Sequence, residues 1–185
     1  YIIYGEKCVE HFDGMWSFAI FNKRNRNLFI SRDRFAEKPL YYFVNKEGIF
    51  FGSEIKFIKS LAEKQFDVNK KNINKFLSFG PRSIFKDNET FYNNIKLLQY
   101  SENLNCDGNL KIVNKKYWSP KPKFKNKINL HDAVSLARDL LIKSLRLRMR
   151  SDVPTAFCLS GGVDSAGLAS IATKILNLKI KTYSI

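Results

Sequence analysis

The chain has 185 residues, enough for one large or two modest domains, and its 44% hydrophobic and 14% aromatic content can fill packed cores. No apolar run approaches the ~20 residues of a membrane-spanning helix, and the opening YIIYGEKCVEHFDG lacks the charged-then-apolar order of a secretory signal, so a cytoplasmic setting is the default expectation. The net charge of +15 raises nucleic acid as a partner, with nine basic residues against two acidic between Lys121 and Arg150; yet Lys, Asn, Ile and Phe abound everywhere, so a solvated basic face is favoured over a nucleic-acid footprint.

In chain order, MWSFAIFN and LFISRD alternate apolar and polar residues around KRNRN and predict a hairpin, a plan repeated by LYYFVN and IFFGS around KEG. A helix is expected from Ser53 as N-cap through EIKFIKSLAEK, and a second near Lys70 to Phe79, ending at Gly80-Pro81. IKLLQYSENL and NLKIVNKKYWS read as strands around a turn at Asn105-Cys106-Asp107-Gly108. The first domain, 1–120, is therefore expected to be α+β with antiparallel sheet. Proline among alternating lysines in SPKPKFKNK marks an exposed linker, placed at 121–128.

From 129 to 185 the pattern changes. Ala133, Leu136, Leu140, Ile142 and Leu147 recur at roughly helical spacing, which predicts a long amphipathic helix with basic residues gathered at its C-terminal end. Strand (Val153 to Leu159), loop, helix (Ala166 to Leu176) and strand (Ile180 to Ile185) then make a βαβ unit, the start of an α/β domain with parallel sheet. Two strands cannot cover both faces of such a sheet, so the chain is expected to stop inside this domain.

The loop of the βαβ unit, LSGGVDS at 159–165, carries the chemistry. Gly161 and Gly162 permit positive torsions and close approach, so their N–H groups can converge on an anion with the first free N–H groups of the following helix. Ser160 and Ser165 add hydroxyls. Asp164 would repel phosphate unless a cation intervened, which implies Mg²⁺ and a polyphosphate. No lysine follows the glycines as a Walker loop requires. An ordinary Gly-rich turn is the plain alternative, but strand, Ser-Gly-Gly-x-Asp-Ser, helix and second strand in order favour nucleotide binding.

SGGVDS resembles the signature of the ATP pyrophosphatase (PP-loop) family. With HFDGMWSFAIFNKRNRNLFISRDRFAEKPLYYF and FGSEIKFI upstream, nearly the whole chain resembles the glutamine-hydrolysing asparagine synthetases. That resemblance implies an N-terminal-nucleophile glutaminase domain feeding ammonia through a tunnel to a synthetase domain that holds β-aspartyl-AMP. The substrates implied are glutamine, aspartate and ATP with Mg²⁺; homodimerisation is left open. On the matching positions it implies ATP contacts at Leu159, Ser160, Gly161, Gly162, Asp164, Ser165 and Ile185, with Mg²⁺ at Asp164.

The sequence departs from the family pattern in places. Ala36 stands where RDRFGEKPLYY has Gly, Gly52 replaces Ala in FASEIK, and QYSEN lacks the usual Pro-Gly turn. The family's nucleophile is a Cys at the mature N-terminus acting with its own amine as base; Tyr1 is not one, and Cys8 reads as core packing. The chain is accordingly expected to be a fragment, inactive by itself. A related amidotransferase acting on another acid or a sugar, and a PP-loop tRNA-modifying enzyme, are the alternatives.

Among the remaining residues, Cys8, Cys106 and Cys158 show neither metal nor disulfide spacing and read as reduced thiols, Cys158 on a buried strand. His11 and His131 have no partners at legible spacing. Arg32, Asp33 and Arg34 are expected to form a salt-bridged corner, and Glu54 to favour a helix dipole.

Overall fold

The computed structural model describes residues 1–81, 83, 87–121 and 128–184. The chain divides into two compact units, Tyr1–Lys121 and Pro122–Ile185. Most of the expected linker, 122–127, and the expected ATP contact Ile185 lie outside the described residues.

In the first unit, β1 (Ser17–Asn22) and β2 (Asn27–Arg32) form the expected hairpin, with Phe18 opposite Ser31 and Ile20 opposite Phe29. β3 (Tyr41–Asn45) and β4 (Gly48–Gly52) form the second hairpin, and β5 (Lys96–Leu97) pairs with β3 on its other side. β6 (Glu102–Cys106) and β7 (Ile112–Lys116) complete a four-stranded antiparallel sheet in the order β1-β2-β6-β7, beside a three-stranded sheet β4-β3-β5. Alternation along β2 sorts its side chains between two cores. Leu28 and Ile30 join Leu104, Cys106, the second sheet's Tyr42 and Leu98 just past β5, whereas Phe29 packs with Cys8 and Val9 of the 3-10 stretch Gly5–His11.

The second sheet is sorted in the same way. Tyr42 faces the first sheet, and Phe43 turns outward to Ile58, Phe66 and Ile95, covered by α1 (Ile55–Leu61). The layers thus run 3-10 stretch, sheet, sheet, helix, the antiparallel α+β architecture expected of this domain. Each fully buried chain such as Phe29, Ile30 or Leu104 contributes roughly 1.5–3 kcal/mol.

Several local expectations are corrected. The run IKLLQYSENL is two strands in two sheets, because Ser101 takes a left-handed φ of 54° and turns the chain between them. β6 runs through Cys106, so the turn lies at Asp107–Lys111. There the Asp107 carboxylate accepts the N–H groups of Asn109 and Lys111 (2.9 Å each), and Leu110 rather than Gly108 takes the positive φ. Gly108 serves close approach instead, since a Cβ there would stand 3.4 Å from Arg26 Cβ. Glu54, not Ser53, is the N-cap of α1, in extended backbone without a side-chain cap; its carboxylate pairs with Lys56 at 2.8 Å in solvent, and α1 ends at Leu61. α2 (Lys70–Phe79) has the expected span, capped by Asn69 accepting from Asn72 N–H and closed by Gly80 at φ 74°.

The second unit holds α3 (Leu130–Arg148), β8 (Ala156–Leu159), α4 (Val163–Ser170) with a π-type turn Ile171–Ile175, and β9 (Lys181–Ser184). Asn129 caps α3 by accepting the Asp132 N–H at 2.9 Å. β8 and β9 pair in parallel, Ala156 opposite Lys181 and Leu159 opposite Ser184, so α4 is the crossover the sequence predicts. β8 starts three residues later than expected: Pro154 has no N–H to give a ladder, and Val153 N–H is taken by Ser151 Oγ. The amphipathic stripe of α3 is largely unburied, with Leu136 49% and Leu140 57% exposed; Leu145 and Ala172 are the unit's buried residues among those described. No helix among the described residues is long and apolar enough to cross a membrane.

Candidate functional site: the loop between β8 and α4

β8 ends at Leu159, and the chain turns through Ser160, Gly161 and Gly162 straight into α4. The helix begins three residues earlier than the sequence suggests, because Gly162 in extended backbone (φ −81°, ψ 159°) acts as N-cap. Gly161 takes φ 77°, a left-handed torsion that strains any residue bearing a Cβ. The hydroxyl of Ser165 closes the loop: it accepts the Ser160 N–H at 3.3 Å and lies 3.1 Å from the Gly162 carbonyl, to which it donates. Ser160 Oγ stands 3.3 Å from Ser165 Oγ.

Five of the seven expected contacts, Ser160, Gly161, Gly162, Asp164 and Ser165, therefore share this loop and the first turn of α4, with Leu159 at the strand end behind them. The first N–H groups of a helix have no intrahelical acceptor and carry the positive end of its dipole. Val163 belongs to that turn and was not singled out from sequence; Gly162 as N-cap is the signal that could have found its N–H. Ser160 to Asp164 are exposed, so a ligand would reach them from solvent. Among the described residues no three His, Cys, Asp or Glu gather as a metal site around Asp164 or elsewhere.

Other sequence expectations change. Cys158 is exposed rather than buried, because this side of the two-stranded sheet is uncovered among the described residues. Cys8 is 3% exposed beneath Phe29, and Cys106 is also buried, its thiol pushed up by desolvation and then by Asp107. His11 stacks on Tyr4 at 4.3 Å, and His131 is exposed beside Asp132.

The Arg32-Asp33-Arg34 corner of the first unit is organised differently from expectation. Among the described residues none of its side chains makes an ion pair. Asp33, 1% exposed, accepts N–H bonds from Phe35, Glu37 and Lys38 (3.0 Å each) and from Trp16 (3.4 Å). Burial alone would raise its pKa; those four donors outweigh it and hold the carboxyl below its ordinary range. Arg32 donates to the carbonyls of Lys38 (2.6 Å), Ala36 (2.8 Å) and Leu98, tying the two sheets together. Arg34 donates to Phe12 O at 2.7 Å and lies over the Trp16 ring. Tyr117 donates its hydroxyl to Arg32 O at 2.9 Å, and burial raises its pKa. Backbone groups do the work that ion pairs were expected to do.

Comparison with known proteins places both units. Residues 1–118 match the family model described as glutamine amidotransferase domain, and residues 136–185 match the one described as asparagine synthase. A protein named putative asparagine synthetase [glutamine-hydrolyzing] 2 from Methanocaldococcus jannaschii is 34% identical over 98% of this chain and 35% of its own length. Asparagine synthetase [glutamine-hydrolyzing] 1 from Bacillus subtilis is 31% identical over 98% of the chain and 28% of its own length. A protein named amidase chry2 from Gibberella zeae is 27% identical over 94% of the chain and 25% of its own length. The chain thus spans about a third or less of these relatives. The layered first unit and its match across well over half of the sequence lead to one conclusion: the chain belongs to the glutamine amidotransferase domain family.

Proposed function

We propose that this chain is part of an ATP-dependent ligase that takes ammonia from glutamine and amidates the side-chain carboxylate of aspartate, releasing AMP and pyrophosphate. The observation that carries the reading is the loop Ser160–Ser165, held open by Gly161 at φ 77° at the start of a parallel crossover helix, within a stretch that matches the asparagine synthase family.

The loop suits a polyphosphate. Glycine at 161 and 162 leaves the backbone bare, and at Gly161 the φ of 77° disfavours any residue with a Cβ. Backbone N–H groups and the Ser160 hydroxyl would receive the β and γ phosphates and stabilise the charge of the departing pyrophosphate. Asp164 would hold a Mg²⁺ ion that arrives with ATP, and the ion would offset the charge that the carboxylate and the triphosphate otherwise set against each other. ATP supplies the adenylyl group that turns a poor leaving hydroxyl into AMP.

The test is ATP–pyrophosphate exchange by the protein expressed from its complete reading frame. Asp164→Ala is expected to lower exchange by about 10²-fold or more while glutamine hydrolysis continues. Exchange at the wild-type rate would refute the assignment. A second reading is amidation of a different acceptor: the relatives are not all named asparagine synthetases, one being named amidase chry2. Aspartate-independent exchange supported by another carboxylic acid would select it.

A further inference from the structure

A cavity of about 650 Å³ opens in the first unit at the edge of the sandwich, where β3 and β5 of one sheet face β7 of the other. None of its lining residues belongs to the loop at 160–165. Tyr42, 6% exposed, points from β3 toward the first sheet, and Asn114 on β7 reaches its hydroxyl at 3.3 Å. With Asn114 Nδ2 donating, the Tyr42 O–H keeps a free hydrogen. With the carboxamide turned over, Tyr42 donates and Asn114 keeps both of its own. Either way this pair leaves a hydrogen-bond donor at the cavity.

The rim adds donors and positive charge. Asn88, Asn94, Lys64 and Lys96 line it, and no carboxylate does so among the described residues. Neither lysine is in an ion pair among those residues. Lys64 Nζ is held near the Phe43 and Phe66 rings at 5.5 and 5.8 Å, which restrains the ammonium beside the opening. The acids around the opening have partners of their own: Glu47 accepts from Asn45 at 3.1 Å, and Asp87 bonds Lys75 at 2.9 Å. Glu102, which acts on Tyr42, accepts the Gln99 N–H at 2.8 Å, and Glu89, opposite Lys96 in a β-bridge, accepts from Asn69 at 3.5 Å. A buried donor, carboxamides and two unpaired cations around a small-molecule-sized cavity suit a compact negative ligand.

We propose that this cavity is a binding site for a small oxyanion, a carboxylate or a phosphate, with the Tyr42–Asn114 pair beneath it and Lys64 and Lys96 at its rim. The site is distinct from the loop at 160–165 and stands whether or not that loop takes ATP.

Calorimetric titration of the complete protein with inorganic phosphate in one arm and succinate in the other, at constant ionic strength, tests it. Saturable binding in one arm or both is expected, and the stronger arm identifies the chemistry. Tyr42→Phe, which keeps the ring, and Lys96→Gln should each weaken binding about fivefold, the effect of one lost hydrogen bond or charge contact. Lys64→Gln, on the surface, serves as a third variant if Tyr42→Phe disturbs folding. Absence of saturable binding in both arms, or binding that none of the three variants alters, would overturn the proposal.

Discussion

Two short polar loops follow strands in this molecule, and they end differently. After β2, the corner at 32–38 spends its charges internally: Asp33 takes four N–H groups and Arg32 three carbonyls. After β8, the turn at 160–165 spends one hydroxyl on its own closure and leaves a helix N-terminus facing solvent. The corner holds more charged side chains, two arginines and an aspartate. Counting satisfied donors and acceptors nonetheless makes it structural, as the sequence also led one to expect, because a group already saturated by the backbone has nothing left to give a ligand.

The largest effect that could break this comparison is at Asp33. Asp33→Ala leaves four part-buried N–H groups without their acceptor and should destabilise the first unit by about 1–3 kcal/mol, read from urea or thermal unfolding. The sign with pH is fixed by the lowered pKa of the folded state. Stabilisation from Asp33 is full above the unfolded carboxyl pKa of about 4 and drains away as pH falls through the lower folded value. Wild type and Asp33→Asn should therefore converge in stability as the medium is acidified; a gap unchanged down to strong acid would show that the carboxylate's charge is not what matters.

A smaller effect is expected in the open loop. Gly161→Ala places a Cβ on a φ of 77° and should cost about 1–2 kcal/mol locally. Nothing lies within 4 Å of that Cβ, so the strain falls on the backbone alone and should appear in nucleotide affinity more than in the unfolding midpoint of the first unit. Equal loss in both would mean the loop is structural, like the corner.

The smallest change is at Ala36, inside the corner. Its φ of 57° is left-handed, where the family pattern has glycine. Ala36→Gly should relieve that strain, less glycine's greater loss of chain entropy, for a net gain of about 0.5 kcal/mol in unfolding free energy. Destabilisation instead would show that the alanine methyl packs favourably enough to outweigh its torsion.

Much of this was legible in the residues. Period-two alternation gave both hairpins, and the residues around SGGVDS gave a loop between a parallel strand and its crossover helix. Less legible were events that depend on distant partners. Nothing local in IKLLQYSENL says that its ends belong to different sheets; the turn at Ser101 is held by the Asp33 carbonyl, 68 residues away, which accepts the Ser101 N–H. The Tyr42–Asn114 pair, 72 residues apart, left no local signal either.

What the sequence determined by itself was the kind of element and the kind of loop, since periodicity, caps and glycine placement act over a few residues. Tertiary structure decided which polar groups of the first unit are satisfied: that Asp33 is bound by backbone N–H groups and that Arg32 donates to carbonyls instead of pairing with an acid. Satisfaction and burial depend on what packs across a layer, and that is settled only when distant strands meet.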